Sequence, residues 1–320
     1  MDLVDKSLLF ELEKDCRCSF TDLANRLNIS VEEVGARTQR LVNDRVILRF
    51  TVVPSIKLFG AKKAIIFFRS SQSIDLSRIN SLGIHPTVSY ISIGQNHEGF
   101  ALIYYRTISE LYSVVKYFRK IGSTFEEIRA FQVQSLSEEA QKSPKKEIFT
   151  LQDIDWMILI HLREQGRLSL SDLSVRTNIA IETLIERLEF LRKNNMIEET
   201  IQLNPAKTAR SSWTIFSLKL TLFTEPLYEE LSRELKTIPS YWNSWRVEEK
   251  PILLLRFLFS SYNEVEKVQS WLTETSPGLI SIEKILAGVT YYFFDFRDEV
   301  LDEKRSADWF RPEEWVNRKK

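Results

Sequence analysis

The chain repeats itself. Shifted by 150 positions, residues 4–47 fall on residues 154–197 without a gap, and identical pairs run the length of the match. They include Asp5/Asp155, Leu9/Leu159, Leu12/Leu162, Arg17/Arg167, Ser19/Ser169, Asp22/Asp172 and Leu23/Leu173. Arg26/Arg176, Asn28/Asn178, Ile29/Ile179, Glu32/Glu182, Arg37/Arg187, Leu41/Leu191 and Ile47/Ile197 continue them. A gapless duplication of this kind means that whatever one copy folds into, the chain folds into twice.

Val4, Leu8, Leu9 and Leu12 recur at helical spacing and predict a first amphipathic helix to about Lys14. Ser19 is a good N-cap with Asp22 three residues on, which starts a short helix ending near Leu27. Asn28 and Ile29 make the turn, and Ser30 caps a third helix with Val34, Thr38 and Leu41 on its inner face. Residues 46–53 are β-rich and predict a wing, as do residues 197–203 in the second copy. Three short helices with a tight turn before the third, then a β-ribbon, make a winged helix-turn-helix.

A different texture follows each wing. Residues 64–68 read as an apolar strand, 74–82 as a short helix, and 88–93 and 100–105 as strands around a turn. An amphipathic helix over 108–121 and a strand over 125–133 complete a βαββαβ unit, and residues 213–294 give the same order. The expected class is α+β, with two winged helix-turn-helix domains (1–53 and 150–204) alternating with two ferredoxin-like domains (60–134 and 211–296). A Ser-, Glu- and Lys-rich linker over 135–149 and a charged tail over 297–320, with Trp309 and Trp315 as docking aromatics, make up the rest.

Net charge is zero, so any hold on nucleic acid must come from local patches. Cys16 and Cys18, the two cysteines, exclude a disulfide framework and are too few for a zinc site with three histidines to help; no metal or cofactor is expected. No apolar run reaches about 18 residues, and residues 1–20 alternate charged with apolar side chains; the expectation is a cytoplasmic protein without a membrane partner.

With these residues in place, the chain resembles the Lrp/AsnC family of feast/famine transcriptional regulators over nearly all of residues 2–296, twice. The resemblance rests on Asp5, Arg17, Ser19, Asp22, Leu23, Ser30, Val34, Arg37, Leu41 and Ile47. Asp155, Arg167, Ser169, Asp172, Leu173, Arg187, Leu191 and Ile197 carry it in the second copy. It implies double-stranded DNA as the partner and α+β domains of the family's RAM type, which pair into a closed oligomer and bind an amino acid or other small-molecule effector. With two units on one chain, an intramolecular pseudo-dimer is expected, with room for further homo-oligomerisation. The family's effector hairpin falls on Gly94-Gln95-Asn96-His97-Glu98-Gly99, which keeps glycine but not the usual aspartates, so Gly94, Asn96, His97 and Glu98 are the effector candidates.

On the first recognition helix, Gly35 and Ala36 permit close approach to a groove. Gln39 suits an adenine edge, and Arg40 suits a guanine or a phosphate. Ser30 and Arg37 join them, with Arg187, Arg192 and Lys193 on the second helix. An ion pair between Arg37 and Glu33 is the competing structural role. Residues 153–199 carry nine acidic and six basic side chains, so the first copy is expected to be the better DNA reader. No phosphate loop, paired-carboxylate motif or nucleophile elbow stands out, and a regulator without catalytic activity is expected. The rivals are a siroheme decarboxylase, an enzyme class that resembles part of this scaffold, and an interaction module that has lost DNA affinity. The first would draw on histidines, of which His85 and His97 lie in an α+β domain.

Overall fold

Local rules set the helices. In the computed structural model, which describes residues 1–94, 96–135, 150–204, 212–248, 250–276 and 278–306, α1 (Leu3–Lys14) opens on a capping box between Asp2 and Asp5. Ser19 Oγ accepts from Asp22 N at the start of α2 (Phe20–Leu27), and Ser30 Oγ from Glu33 N at the start of α3 (Val31–Asn43). Asn28 ends α2 in the left-handed region, φ 54°, which Asn tolerates better than most residues, and this makes the tight turn. Of the linker expected over 135–149, residues 136–149 lie outside the described residues, as do residues 307–320 of the tail, with Trp309 and Trp315.

The second copy, α6 (Asp153–Glu164), α7 (Leu170–Thr177) and α8 (Ile181–Lys193), repeats the plan with Asn178 at φ 55°. One cap differs: Ala180 stands where Ser30 does, so α8 starts without a side-chain cap. In each copy a buried aspartate ties the first helix to the third. Asp5 holds Arg37 at 2.8 Å and Arg40 at 2.5 Å, while Asp155 takes both arms of Arg187 at 2.9 and 2.7 Å. That explains why Asp and Arg persist at the same places in both copies.

The wing strands find their partners across the repeat. β1 (Ile47–Pro54) pairs antiparallel with β6 (Ile197–Leu203), from Ile47 opposite Leu203 to Pro54 opposite Ile197. Reciprocal arginines close the joint. Arg17 donates to the carbonyls of Gly166 and Leu168 at 2.6 and 3.0 Å, and Arg167 to those of Cys16 and Cys18 at 2.8 and 3.1 Å. Gly166 is required here, because a Cβ would lie 2.6 Å from the Phe50 backbone. The two helix-turn-helix units thus form a pseudo-two-fold pair within one chain, with Cys16 and Cys18 as buried packing residues at its centre.

The α+β units follow the expected order. The first runs β2 (Lys62–Ser70), α4 (Leu76–Gly83), β3 (Val88–Ile93), β4 (Glu98–Tyr105), α5 (Ile108–Ile121) and β5 (Phe125–Ser135). The second runs β7 (Ser212–Leu220), α9 (Glu225–Leu235), β8 (Tyr241–Val247), β9 (Ile252–Phe259), α10 (Tyr262–Thr275) and β10 (Leu279–Ala287). β11 (Val289–Tyr292) and α11 (Phe296–Ser306) come last. The strand order β10-β7-β9-β8-β5-β2-β4-β3-β11 contains two ferredoxin-like sheets joined at β5–β8. Only Gly288 separates β10 from β11, the two ends of that order, so the sheet closes on itself.

Helices cover the outer faces. Ile66, Phe68, Ile79, Leu82, Val114 and Phe118 form one outer core, and Phe216, Leu231, Leu235, Phe257, Val265 and Leu272 the other. The inner faces, with Phe67, Phe100, Phe131, Trp213, Trp245 and Leu254, share one core with the helix-turn-helix pair. Each of these side chains is worth about 1.5–3 kcal/mol of burial, so the halves are welded rather than tethered. Among the described residues, no helix is long and apolar enough to cross a membrane.

Candidate functional site

Two surfaces of this body are candidates for function. The first is the pair of third helices. On α3, Ala36, Gln39 and Arg40 are exposed; Gln39 bonds to Asn43 at 2.9 Å, and Arg40 keeps 52% of its side chain in solvent while touching Asp5. Gly35 faces the Phe20 ring at a distance that a Cβ would tolerate, and the Ser30 hydroxyl is spent on its cap. Arg37 is held by Asp2, Asp5 and Glu33 at 2.7–2.8 Å, bonds that raise its pKa. On α8, Arg187 is spent on Asp155 and Arg192 on Glu199 of β6 at 2.6 and 2.8 Å, which leaves Lys193 exposed. Arg37, Arg187 and Arg192 thus each engage a carboxylate of a neighbouring element, with Arg192 still partly exposed.

The second surface is internal. A cavity of about 1420 Å³ lies between the helix-turn-helix pair and the sheets. Its walls are the inner end of α1, Arg163 of α6, the β1–β6 ribbon, the β8–β9 end of the second sheet, α9, the β3–β4 face of the first sheet with Tyr90 and Tyr104, and the residues that follow β11. The effector candidates lie elsewhere: none of Gly94, Asn96, His97 and Glu98 lines it. Gly94 abuts Leu286, where a Cβ would sit 1.9 Å from a carbonyl oxygen, and Glu98 is buried beside Arg69 at 3.4 Å. The void beside Glu98 measures about 10 Å³, room for a water and not for an amino acid.

At the heart of the large cleft, the Trp242 indole donates to Glu13, and Glu13 lies 3.8 Å from Arg256. Arg256 stacks 3.6 Å over the Trp213 ring. Glu13 keeps 27% of its side chain accessible, in the cleft that it lines, yet protein surrounds it. Burial pushes its carboxyl above the ordinary value, against the pull of Arg256 and the Trp242 hydrogen bond. Tyr104 is raised to about 12 by the same desolvation. No histidine, cysteine or methionine is among the described lining residues.

The counterpart region beneath α6 and over the first sheet, whose Tyr104, Arg163, Phe293 and Asp298 also border the open cleft, is packed by the residues that follow β11. Phe293 N and Phe296 N donate to the carbonyls of Ser89 and Pro86 at 2.9 and 2.8 Å, which seats the chain along β3. Phe293 occupies space left free by Gly83, whose Cβ would fall 2.1 Å from that ring. α11 then buries Phe296 and Leu301, and its Asp298 and Asp302 pair with Arg163 at 2.7 and 3.1 Å. What reads in sequence as a charged tail thus begins as a docked helix.

Sequence reasoning missed the cleft because its residues come from distant segments. One signal was available: Arg256 is the single charge in the strand Ile252–Phe259. Trp242 and Trp245 both pack into the inner core and both line the cleft.

Residues 1–42 match the AsnC-type helix-turn-helix domain, and residues 151–198 match a winged helix-turn-helix DNA-binding family. Over 81 residues the chain is 28% identical to an uncharacterized HTH-type transcriptional regulator of Pyrococcus horikoshii. That match takes in 25% of this chain and 55% of the relative, so it spans about half of the relative's length. Along nearly its whole length the chain shares the fold of the siroheme decarboxylase NirDL: TM-score 0.55, 15% identity, 95% of this chain and 99% of that one. The same enzyme in co-complex with an iron-uroporphyrin III analogue gives a TM-score of 0.53 at 15% identity, covering 95% and 98%. The expectation that the chain is not an enzyme is corrected by this likeness, because the complete two-unit architecture serves catalysis in a known enzyme. Missing sequence motifs were no ground for excluding it: a cleft assembled from separate segments leaves none.

Proposed function

With the chain taken as a helix-turn-helix protein of the Lrp/AsnC type, we propose that it is a DNA-binding regulator whose two units make one dimer-like body around a single small-molecule cleft. The observation that carries this reading is the joint itself. The β1–β6 ribbon and the reciprocal Arg17 and Arg167 fix the two third helices relative to each other. The same ribbon and α1 wall the cleft, so a ligand there touches the elements that carry the DNA-facing helices. Ser30, Gly35, Ala36, Gln39 and Arg40 form the contact face of the first unit, and Lys193 that of the second.

A salt series on labelled duplex from the protein's own upstream region, beside random duplex, tests the reading. Preferred binding to the upstream duplex that weakens steeply with salt is expected. Arg40→Ala should lower affinity about tenfold and reduce the salt slope by about one. Absence of salt-sensitive binding to either duplex would sink it.

A second reading has its own observation. The cleft is several times larger than an amino acid needs, and the fold that it belongs to is shared along nearly its full length with a siroheme decarboxylase. In this reading the chain acts on a large acidic ring, and Glu13 is the proton-handling group. Binding of iron-uroporphyrin III, followed by a change in its absorbance, separates an occupied cleft from an empty one. Release of carbon dioxide from siroheme would then separate enzyme from sensor.

A further inference from the structure

Arg256 is a buried cation without an adequate partner. It is 4% exposed, and among the described residues its nearest carboxylate, Glu13, stands 3.8 Å from Nη1, outside hydrogen-bonding range. Among the described residues its Nε has no hydrogen-bond partner, and neither does Oδ1 of Asn243, directly across the β8–β9 pair. Both residues line the cleft. Three other arginines that line it are neutralised: Arg163 by Asp298, Arg192 by Glu199, Arg297 by Asp295 and Glu198. Burying a charge with an incomplete partner set is costly, and the guanidinium fork fits a planar carboxylate better than any other common group.

The packed counterpart region shows how this body solves the same problem elsewhere. Arg163 occupies there the repeat position of Glu13, and the acids of α11 are delivered to it from outside the repeat. In the open cleft the roles are exchanged, and the cation waits on the sheet. Strand register places Leu102 where the second half has Arg256, so the charge is a feature of this cleft and not of the fold.

We propose that Arg256 anchors a carboxylate of a flat aromatic acid seated in the open cleft, against a wall that includes Phe10, Tyr90 and Trp242. This assignment rests on the reading of the cleft as a ligand site. It makes Arg256 a specificity residue: the acid, not the ring, selects the ligand.

Quenching of tryptophan fluorescence tests it on the full chain with two water-soluble probes. One is iron-uroporphyrin III, rich in carboxylates; the other is a cationic iron tetrapyridylporphyrin, a comparable ring without any. Wild type is expected to prefer the first. Arg256→Leu, the residue of the other half, should weaken uroporphyrin at least tenfold and leave the cationic ring unchanged or tighter. Arg256→Lys, which keeps the charge and loses the fork, should fall between. Thermal melting of each variant separates lost anchoring from lost folding. Uroporphyrin binding unaltered by Arg256→Leu, or an equal loss for both rings in a folded variant, removes the anchor alone. Binding of neither ring by wild type removes the cleft reading and the anchor with it.

Discussion

The regions beneath the two first helices begin from the same repeat and end differently. Beneath α1, Glu13 and Arg256 face each other across space; beneath α6, Arg163 meets Asp298 in direct contact, with Phe293 and Phe296 filling the volume. The difference teaches that duplication supplies two equal sites and a short extension is enough to retire one. The extension needs little: a ring that fits over Gly83, a buried Phe and Leu, and carboxylates for one arginine. The surviving cleft keeps an unbalanced charge, a state tolerable at a binding site and wasteful in a core.

That contrast can be broken experimentally. The largest effect is expected from Phe296→Ala, which should cost about 3–5 kcal/mol in denaturant titration because a nearly sealed ring leaves a cavity. Phe10→Ala, at the half-buried ring of the open cleft, should cost less than half as much. Equal losses would mean that α11 is no more integral than an unfilled wall.

Next comes charge. Arg163→Leu strands Asp298 and should cost roughly 3 kcal/mol. Glu13→Gln keeps the shape and removes a carboxyl whose ionised form burial disfavours, so stability should change little or rise. A large loss in Glu13→Gln would show the open cleft to be a structural ion pair like its twin.

The smallest effect sharpens the same point through pH. The Glu13 carboxyl is raised in the folded chain, so between its ordinary value near 4.5 and the raised one the native state holds more protons than the unfolded state. Stability from this group is complete below that window and falls as pH climbs through it. The stability difference between wild type and Glu13→Gln should therefore drift against wild type as pH rises above about 4.5. A flat difference would place Glu13 in a water-like setting.

Much of this was legible in sequence where the rules are local. Ser19, Ser30, Asn28 and Asn178 announced caps and turns, and the spacing of apolar residues gave both βαββαβ orders. A pseudo-dimer of the two units was expected, but its strand pairing was not legible: strand 46–53 looks the same whether it folds back as a wing or pairs with 197–203, since its alternation names no partner. The ion pair of Arg37 with Glu33 was legible at helical spacing, but the buried Asp5 and Asp155 that also hold Arg37 and Arg187 were not, because they come from another helix. The cleft escaped entirely, being a property of three segments meeting rather than of any one.

The ring formed by β10, Gly288 and β11 bears on how the chain leaves the ribosome. β3 pairs with β4 soon after synthesis, but its other edge waits for Val289–Tyr292, which arrive nearly two hundred residues later. At the usual 5–20 residues per second, that is a wait of about 10–40 s with a strand edge bare. A bare apolar edge templates aggregation. A stalled or truncated product of this gene would therefore be hazardous as well as incomplete, and a cell that makes it would be expected to depend on chaperones during that interval.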